Sequence, residues 1–172
     1  VKERLKNGEF KSINDFINRV NPKDINKLQL EGMVKAGAFD KLNENRQAIF
    51  NSIPSIILKS KNLFENKAVN QIDLFGSNNL EDSEIVEKIN DWKFEERLKK
   101  EFESVGFFIS DHPLNQFKEI FDEYNIVSFS DFNNEKKNNE ANIVGTILKV
   151  QEKKTQKGNS YAIVKLTDLS SV

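Results

Sequence analysis

Three places in this sequence carry residue types suited to binding chemistry. The first is a glycine-centred segment between two predicted helices, in which residues 35–41 read Lys-Ala-Gly-Ala-Phe-Asp-Lys. The main-chain N–H groups of Gly37 and Ala38 could hold a phosphate in such a turn. Lys35 and Lys41 would add positive charge. The alternative is an ordinary turn with glycine just after a helix, and composition and spacing alone favour that alternative.

The second place is a pair of large apolar residues in polar surroundings. Residues 71–75 read Gln-Ile-Asp-Leu-Phe between polar, turn-prone flanks. Leu74 and Phe75 would be buried anchors in the groove of a partner protein. Gln71, with Asp73 in the same motif, would meet polar groups at the rim of that groove. The alternative is a segment that folds back onto its own domain, but docking is favoured because the pattern arises by chance in well under about 1% of chains this long.

The third place is a lysine-rich loop between two predicted strands. Lys153, Lys154 and Lys157 lie near the turn, and Tyr161 begins the second strand. Single-stranded nucleic acid commonly lies on such loops, with an aromatic ring stacked on a base. A solvated hairpin tip explains the same lysines equally well, because lysines protect strand edges from aggregation. Both readings stay open.

Composition excludes several kinds of catalytic centre. The chain has no cysteine and one histidine, His112. Thiolate chemistry and multi-histidine metal sites are therefore excluded. His112 is interpreted as part of a helix start, and the acidic stretch 81–103 as a solvated helix face with interleaved lysines. No phosphate-binding loop of the P-loop type is present. From its residues, the chain is a binding module without catalytic residues, metal ligands or a bound cofactor.

Size and charge narrow the class further. The chain has 172 residues, a net charge of −1 and a pI of about 6.0. One or two compact domains fit this length. A stand-alone DNA-binding domain of this size is usually basic overall, so any nucleic-acid contact must be local. The absence of an apolar run of about 20 residues and of a signal peptide predicts a cytoplasmic protein with no membrane partner. We expect a piece of a larger protein.

The elements that must position these residues are mainly helical. Residues 1–65 read as short helices, in which Gly8 and Gly37 each end a helix and Ser12 with Asp15 begins one. Gly106 is expected to end a later helix in the same way. Asn43 or Asn45 begins a longer helix that is expected to kink or restart at Pro54. Residues 66–83 form a linker that contains the apolar pair.

Residues 84–132 return to helix, with 107–109 as a buried connection and Phe117, Ile120 and Phe121 as a buried face. In this stretch Ser110 or Asp111 is expected to cap a helix. Residues 133–140 are a second linker. After it, period-2 alternation over 141–172 predicts a β-hairpin with its turn at 157–160. A lone hairpin is marginal in water, so this one is expected to be the start of an incomplete OB-fold. The predicted fold class is therefore mainly α with a C-terminal hairpin.

Five motifs in the same order resemble the alpha subunit of bacterial replicative DNA polymerase III, a C-family polymerase. The matching residues are Gly8…Phe10-Lys11-Ser12…Asp15-Phe16; Asn26-Lys27…Lys35-Ala36-Gly37-Ala38-Phe39-Asp40 with Asn45-Arg46; Gln71-Ile72-Asp73-Leu74-Phe75-Gly76; Gly106-Phe107…Asp111-His112-Pro113-Leu114; and Ile143-Val144-Gly145…Lys157-Gly158…Thr167-Asp168. In the same order, they are similar to the segment before the tandem helix-hairpin-helix region, that region itself, the internal clamp-binding motif, the following helical segment and the start of the OB domain.

This resemblance implies a part of a DNA-directed DNA polymerase, a nucleotidyltransferase that uses Mg²⁺ at a site absent from this segment. The segment would grip duplex product through phosphates, tether the enzyme to the sliding clamp and lead single-stranded template to the OB domain, among other replisome subunits. Leu28 departs from the family, which usually has a basic residue there. Two alternatives remain: a helical protein-interaction scaffold that binds neither DNA nor clamp, and an error-prone paralogue of the same polymerase family.

Overall fold

The computed structural model describes residues 1–68, 85–134 and 140–170, and the chain divides into two compact units, Val1–Gly106 and Phe107–Val172. The first unit contains helices α1 (Lys2–Asn7), α2 (Ile13–Arg19), α3 (Lys27–Lys35), α4 (Arg46–Ala68) and α5 (Phe94–Val105). The second contains a 3₁₀ helix (Pro113–Phe117), helices α6 (Lys118–Glu123) and α7 (Phe129–Asn134), and strands β1 (Thr146–Lys154) and β2 (Ser160–Thr167). The predicted class, helices followed by a hairpin, is confirmed. The OB assignment and the finer domain boundaries stay predictions.

Helix boundaries in the first unit follow the local capping signals. The Ser12 hydroxyl accepts a hydrogen bond from the Asp15 amide at 2.9 Å, which begins α2 as predicted. The Asn45 side chain accepts from the Ala48 amide at 2.9 Å, so Asn45 rather than Asn43 begins α4. Gly106 ends α5 in the left-handed conformation, with φ +84°. These short polar contacts satisfy main-chain groups that the helix ends would otherwise leave unpaired.

Helix α4 is the centre of the first unit's core. It runs without a break through Pro54, so the expectation of a restart there is wrong. Pro54 lies on the exposed side, while Ile53 and Ile56 on either side of it are buried. Burial of the apolar stripe stabilises the helix. Proline has no N–H group, and the carbonyl left without this donor can bind water instead. The buried residues of this core are Ile13, Phe16, Ile17, Leu30, Val34, Phe39, Ala48, Ile49, Ile53, Ile56, Leu63, Ile85 and Val86.

Residues 85–106 belong to the same unit as the first helices. Ile85 and Val86 complete the core, and the Glu87 amide donates to the Ser52 hydroxyl at 3.0 Å. Farther along, the Ser104 hydroxyl donates to the carbonyl of Gly32 in α3 at 2.8 Å. Helix α5 is therefore fixed against α3, which the sequence pattern did not predict. No helix of the described residues is long and apolar enough to cross a membrane.

The second unit buries less than the sequence pattern suggests. Phe107, Phe117 and Ile120 are exposed, so the predictions of a buried connection and a buried helix face are wrong. Among the described apolar residues of this unit, Leu114 is buried. The helices here are short and offer too few layers to cover each other's apolar side chains.

The second unit also begins its 3₁₀ helix differently from the prediction. His112, not Ser110 or Asp111, is the capping residue, and its Nδ1 accepts from the Leu114 amide at 3.2 Å. The interpretation of His112 as part of a helix start is confirmed, while the choice of cap is corrected.

Strands β1 and β2 pair antiparallel, with Lys153 opposite Tyr161 and Val150 opposite Val164. The turn between them has Gly158 at φ +83°, and the Gly158 amide donates to the Thr155 carbonyl. Pairing shifts by one residue between Ile147 and Lys149, so a β-bulge interrupts the alternation that the sequence predicts as continuous. Ile147 and Lys149 therefore face opposite sides of the sheet, whereas strict alternation would place them on the same side.

Candidate nucleic-acid interface

The glycine-centred connection between α3 and α4 closes helix α3. Gly37 has φ +78°, its amide donates to the Val34 carbonyl at 3.0 Å, and the Ala38 amide donates to the Met33 carbonyl at 2.9 Å. This pair of bonds is a Schellman motif. Since both amides are already satisfied by α3, they do not support the expected phosphate contact.

The two lysines predicted at this connection differ in availability. The Lys35 side chain is 24% exposed and its Nζ lies 3.6 Å from a Glu103 oxygen in α5. The Lys41 side chain is 83% exposed, with Nζ 3.5 Å from a Glu9 oxygen. Exposed pairs of this kind are weak and readily exchanged for another anion. Lys41 is therefore the more accessible cation for a phosphate.

A buried ionic network beneath this connection was not predicted. Arg46 donates from Nε and Nη2 to the two carboxylate oxygens of Asp40, at 2.8 and 2.7 Å. Its Nη1 donates to Glu101 Oε1 at 2.6 Å. Arg46 is 2% exposed and Glu101 is 0% exposed. Burial lowers the pKa of Arg46, but the hydrogen bonds to Asp40 and Glu101 outweigh it and leave the pKa above its ordinary value.

The other arginines are also paired with acidic residues. Arg19 Nε lies 2.9 Å from a Glu3 oxygen, which ties α2 to α1. Arg97 Nη2 lies 3.3 Å from an oxygen of Asp40. The chain has arginine at positions 4, 19, 46 and 97, and Arg4 lies 3.5 Å from Glu9. Arg19, Arg46 and Arg97 thus serve the fold of the first unit, whereas the charge that solvent can reach is carried by the exposed lysines and by Arg4.

The connection between α2 and α3 offers a further group of exposed residues. Lys23 and Lys27 are exposed, and the neighbouring Leu28 is 77% exposed. Asn26 caps α3 in a reciprocal pair of hydrogen bonds with Gln29, both 2.9 Å long. Leu28 points to solvent, at the position where the resembling family usually has a basic residue.

The hairpin sorts its residues onto two faces. Cross-strand partners share a face, and partners alternate between faces along the ladder. The cationic face, as we name it, carries Lys149, Gln151, Lys153, Tyr161, Ile163 and Lys165. The apolar face carries Ile147, Val150, Val164 and Leu166, followed towards the tip by Glu152, Lys154, Ser160 and Ala162. All of these large side chains are exposed.

This sorting separates residues that the sequence prediction grouped together. Lys153 and Tyr161 are direct partners on the cationic face, whereas Lys154 lies on the opposite face beside Ser160. Lys157 lies in the turn. Lys165, which the sequence prediction missed, lies opposite Lys149 on the cationic face. Like charges directly opposite destabilise a sheet, so a phosphate between them would relieve a repulsion that the hairpin otherwise carries.

One predicted feature cannot be placed in this geometry, because Gln71, Asp73, Leu74 and Phe75 lie outside the described residues. Within the described ranges, no group of three or more His, Asp or Glu residues is arranged to hold a metal ion.

Comparison with known proteins finds first a motif that part of the chain matches and then longer proteins to which nearly the whole chain is similar. Residues 1–49, which contain α1 to α3 and the connection to α4, match the family model of the helix-hairpin-helix motif. The chain is 39% identical over 165 residues to the DNA polymerase III subunit alpha of Rickettsia bellii, covering 94% of this chain and 14% of that protein.

Relatives from more distant bacteria agree. The DNA polymerase III subunit alpha of Borreliella burgdorferi is 32% identical over 166 residues, covering 93% of this chain and 14% of that protein. That of Campylobacter jejuni is 31% identical over 172 residues, covering 98% and 14%. The chain is thus a homologue of one segment of the DNA polymerase III alpha subunit, about a seventh of the length of the relatives that it matches.

Proposed function

We propose that this chain is the DNA-holding and clamp-tethering segment of a replicative, DNA-directed DNA polymerase in the bacterial cytoplasm, and that it contributes no catalytic residue itself. The observation that carries this proposal is the near-complete coverage of the chain by alpha-subunit relatives, together with the helix-hairpin-helix match. The Mg²⁺-dependent nucleotidyl transfer belongs to other parts of such a protein. The relatives are DNA polymerase III alpha subunits, which favours a replicative alpha subunit over an error-prone paralogue.

Duplex DNA is held by lysines around the two helix connections of the first unit. Lys41 is the most exposed cation of the α3–α4 connection, and Lys23 and Lys27 flank the α2–α3 connection. Contacts to phosphates position a duplex without reading its sequence, as a polymerase requires. The modest number of accessible cations fits a segment that relies on a second attachment for lasting association.

Fluorescence anisotropy with a labelled duplex at several salt concentrations tests this part. Lys41→Ala should weaken binding and lower the salt slope by about 0.9. Lys61→Ala removes an exposed lysine about 20 Å farther along α4 and is the matched control. Leu28→Lys should tighten binding, because it adds a cation beside Lys27. Equal affinities for all four proteins would reject the duplex contact.

Single-stranded template lies on the cationic face of the hairpin. Tyr161 supplies a ring for stacking and Lys153, directly opposite, supplies a cation for the adjoining phosphate. Lys149 and Lys165 extend the same positive strip along the strands. An oligothymidylate titration tests the assignment, and binding that Tyr161→Ala leaves unchanged would argue against it.

The clamp tether is the segment 71–75. Its sequence supports docking because an aliphatic residue and an aromatic residue adjoin in polar surroundings, as in peptides that fill a groove. Replacing Leu74 and Phe75 together by alanine should abolish binding to immobilised sliding clamp in surface plasmon resonance. Asn78→Ala with Asn79→Ala, in the same stretch, is the matched control. Retained clamp affinity in the first variant would favour the alternative of a helical scaffold without a clamp role.

A further inference from the structure

Arg46 connects the two ends of the α3–α4 connection. At one end, its Nη1 donates to the carbonyl of Lys35, the last residue of α3, at 3.1 Å. Farther along, its Nε and Nη2 hold both carboxylate oxygens of Asp40. Such a planar, two-pronged contact fixes orientation as well as distance. One buried side chain therefore sets the path of the connection.

The same guanidinium lies directly against the main chain of the connection. A Cβ built on Gly37 would lie 2.3 Å from Arg46 Nη2 and 2.9 Å from Asp40 Oδ2. A side chain at this position is excluded by these two groups as well as by the positive φ. The connection thus rests on the ion pair, and its shape depends on where Arg46 is held.

Helix α5 holds Arg46 from the other side. Glu101 accepts from Arg46 at 2.6 Å, and Arg97, one turn earlier, donates to Asp40 at 3.3 Å and to Asp91 at 3.2 Å. Burying such charges is costly, and well-packed apolar residues often stabilise a fold as much or more. Stability alone therefore does not account for the network, whereas a requirement for one defined geometry does.

We infer that Arg46, Asp40 and Glu101 are positioning residues for DNA binding, which place the α3–α4 connection and its lysines Lys35 and Lys41 relative to helix α5. This inference rests on the proposed contact between that connection and duplex DNA. Lys35 is held by the same helix, through Glu103. The segment 85–106 thereby affects DNA binding by the α3–α4 connection, since Glu101 lies 55 residues after Arg46 in the chain.

The main test replaces the buried charges by apolar residues. The double variant Arg46→Met with Glu101→Leu keeps approximate volume, and Asp40 retains Arg97. We expect its circular dichroism and Trp92 fluorescence to stay native, and its duplex affinity to fall by at least about fivefold, with a smaller salt slope. A folded double variant that binds as the wild type does, while Lys41→Ala binds weakly, would overturn the inference and leave the proposed function intact. A wild-type chain that binds no duplex would overturn the proposed function instead.

A second variant decides the matter if the double variant does not fold. Arg97 is partly exposed, so Arg97→Met should be tolerated. Lys99→Met removes an exposed positive charge from the same helix and is the matched control. We expect Arg97→Met to lower duplex affinity by about threefold relative to Lys99→Met. Equal affinities for these two variants would overturn the positioning role.

Discussion

In the first unit, apolar side chains from α2, α3, α4 and residues 85–86 meet in one core, and every arginine contacts a carboxylate. In the described part of the second unit, the hairpin leaves its large apolar residues and its lysines exposed, with Lys149, Lys153 and Lys165 on one face and Ile147, Val150, Val164 and Leu166 on the other. The first unit pairs its arginines with carboxylates around a buried apolar core, whereas the hairpin buries little apolar surface of its own. This difference indicates that the first unit is stabilised by its own core to an extent that the hairpin is not.

The largest expected effect is on core packing, and it tests the packing half of this comparison. Ile49 in α4 is 1% exposed, so its replacement by alanine should lower the free energy of unfolding by about 4 kcal/mol. Val164→Ala, on the exposed apolar face, should cost well under about 1 kcal/mol. Urea unfolding followed by Trp92 fluorescence reports the first unit, and circular dichroism reports both. Similar losses for the two variants would erase the contrast between the units.

The next prediction compares two glycine substitutions, to separate the cost of an unfavourable backbone conformation from the cost of displacing the buried ion pair. Gly37 and Gly106 both have positive φ, but a Cβ at Gly106 would meet nothing within 4 Å. Gly106→Ala should therefore cost about 1 kcal/mol. Gly37→Ala also displaces Arg46 and should cost about 3 kcal/mol or more. Thermal unfolding of the two variants measures the difference, and equal costs would mean that the network yields without loss.

A smaller effect sharpens the two-faced description of the hairpin. Lys153→Ala should weaken binding of a single-stranded oligonucleotide by a few-fold, because Lys153 lies beside Tyr161 on the cationic face. Lys154→Ala removes the same charge from the next residue, on the other face. Anisotropy titrations of both variants at one salt concentration suffice. If Lys154→Ala weakened binding as much as Lys153→Ala, charge alone rather than the face would determine the contact.

The smallest effect concerns pH and the second unit. Burial lowers the pKa of His112 below its ordinary value of 6.5, against the opposing effects of Asp168 and Asp111. The folded state therefore favours the neutral ring, whose Nδ1 accepts from Leu114. This contribution to stability should be present above pH 6.5 and should be lost as pH falls through the lowered pKa.

The single histidine makes this pH effect easy to follow by NMR titration. His112→Asn keeps a capping side chain but cannot titrate, so it should flatten the dependence of second-unit stability on pH. A His112 pKa at or above 6.5 would contradict the expectation.

Local signals predicted much of the fold. The caps at Ser12 and Asn45, the glycines at 37 and 106 and the hairpin all depend on short-range hydrogen bonding and backbone conformation, which neighbouring residues determine. The exposure of Leu28 and Phe117 depends on which elements lie opposite, and no local pattern contains that information.

The candidate site shows the same limit. Lysines near the connections were recognised from sequence, but the partnership of Arg46 with Glu101 spans 55 residues and has no local signature. The engagement of the Gly37 and Ala38 amides by α3 became apparent only from the geometry of the helix end. The separation of Lys153 from Lys154 follows from strand pairing, and the register shift determines how Ile147 joins the apolar face.

The bulge in β1 also makes the number of residues in the strand matter, beyond their identity. Strict alternation over the same residues would place Ile147 on the face of Lys149. The one extra residue of the bulge, Leu148, places Ile147 instead on the face of Val150 and Val164. At the Gly158 turn, by contrast, a change of length should leave both faces intact.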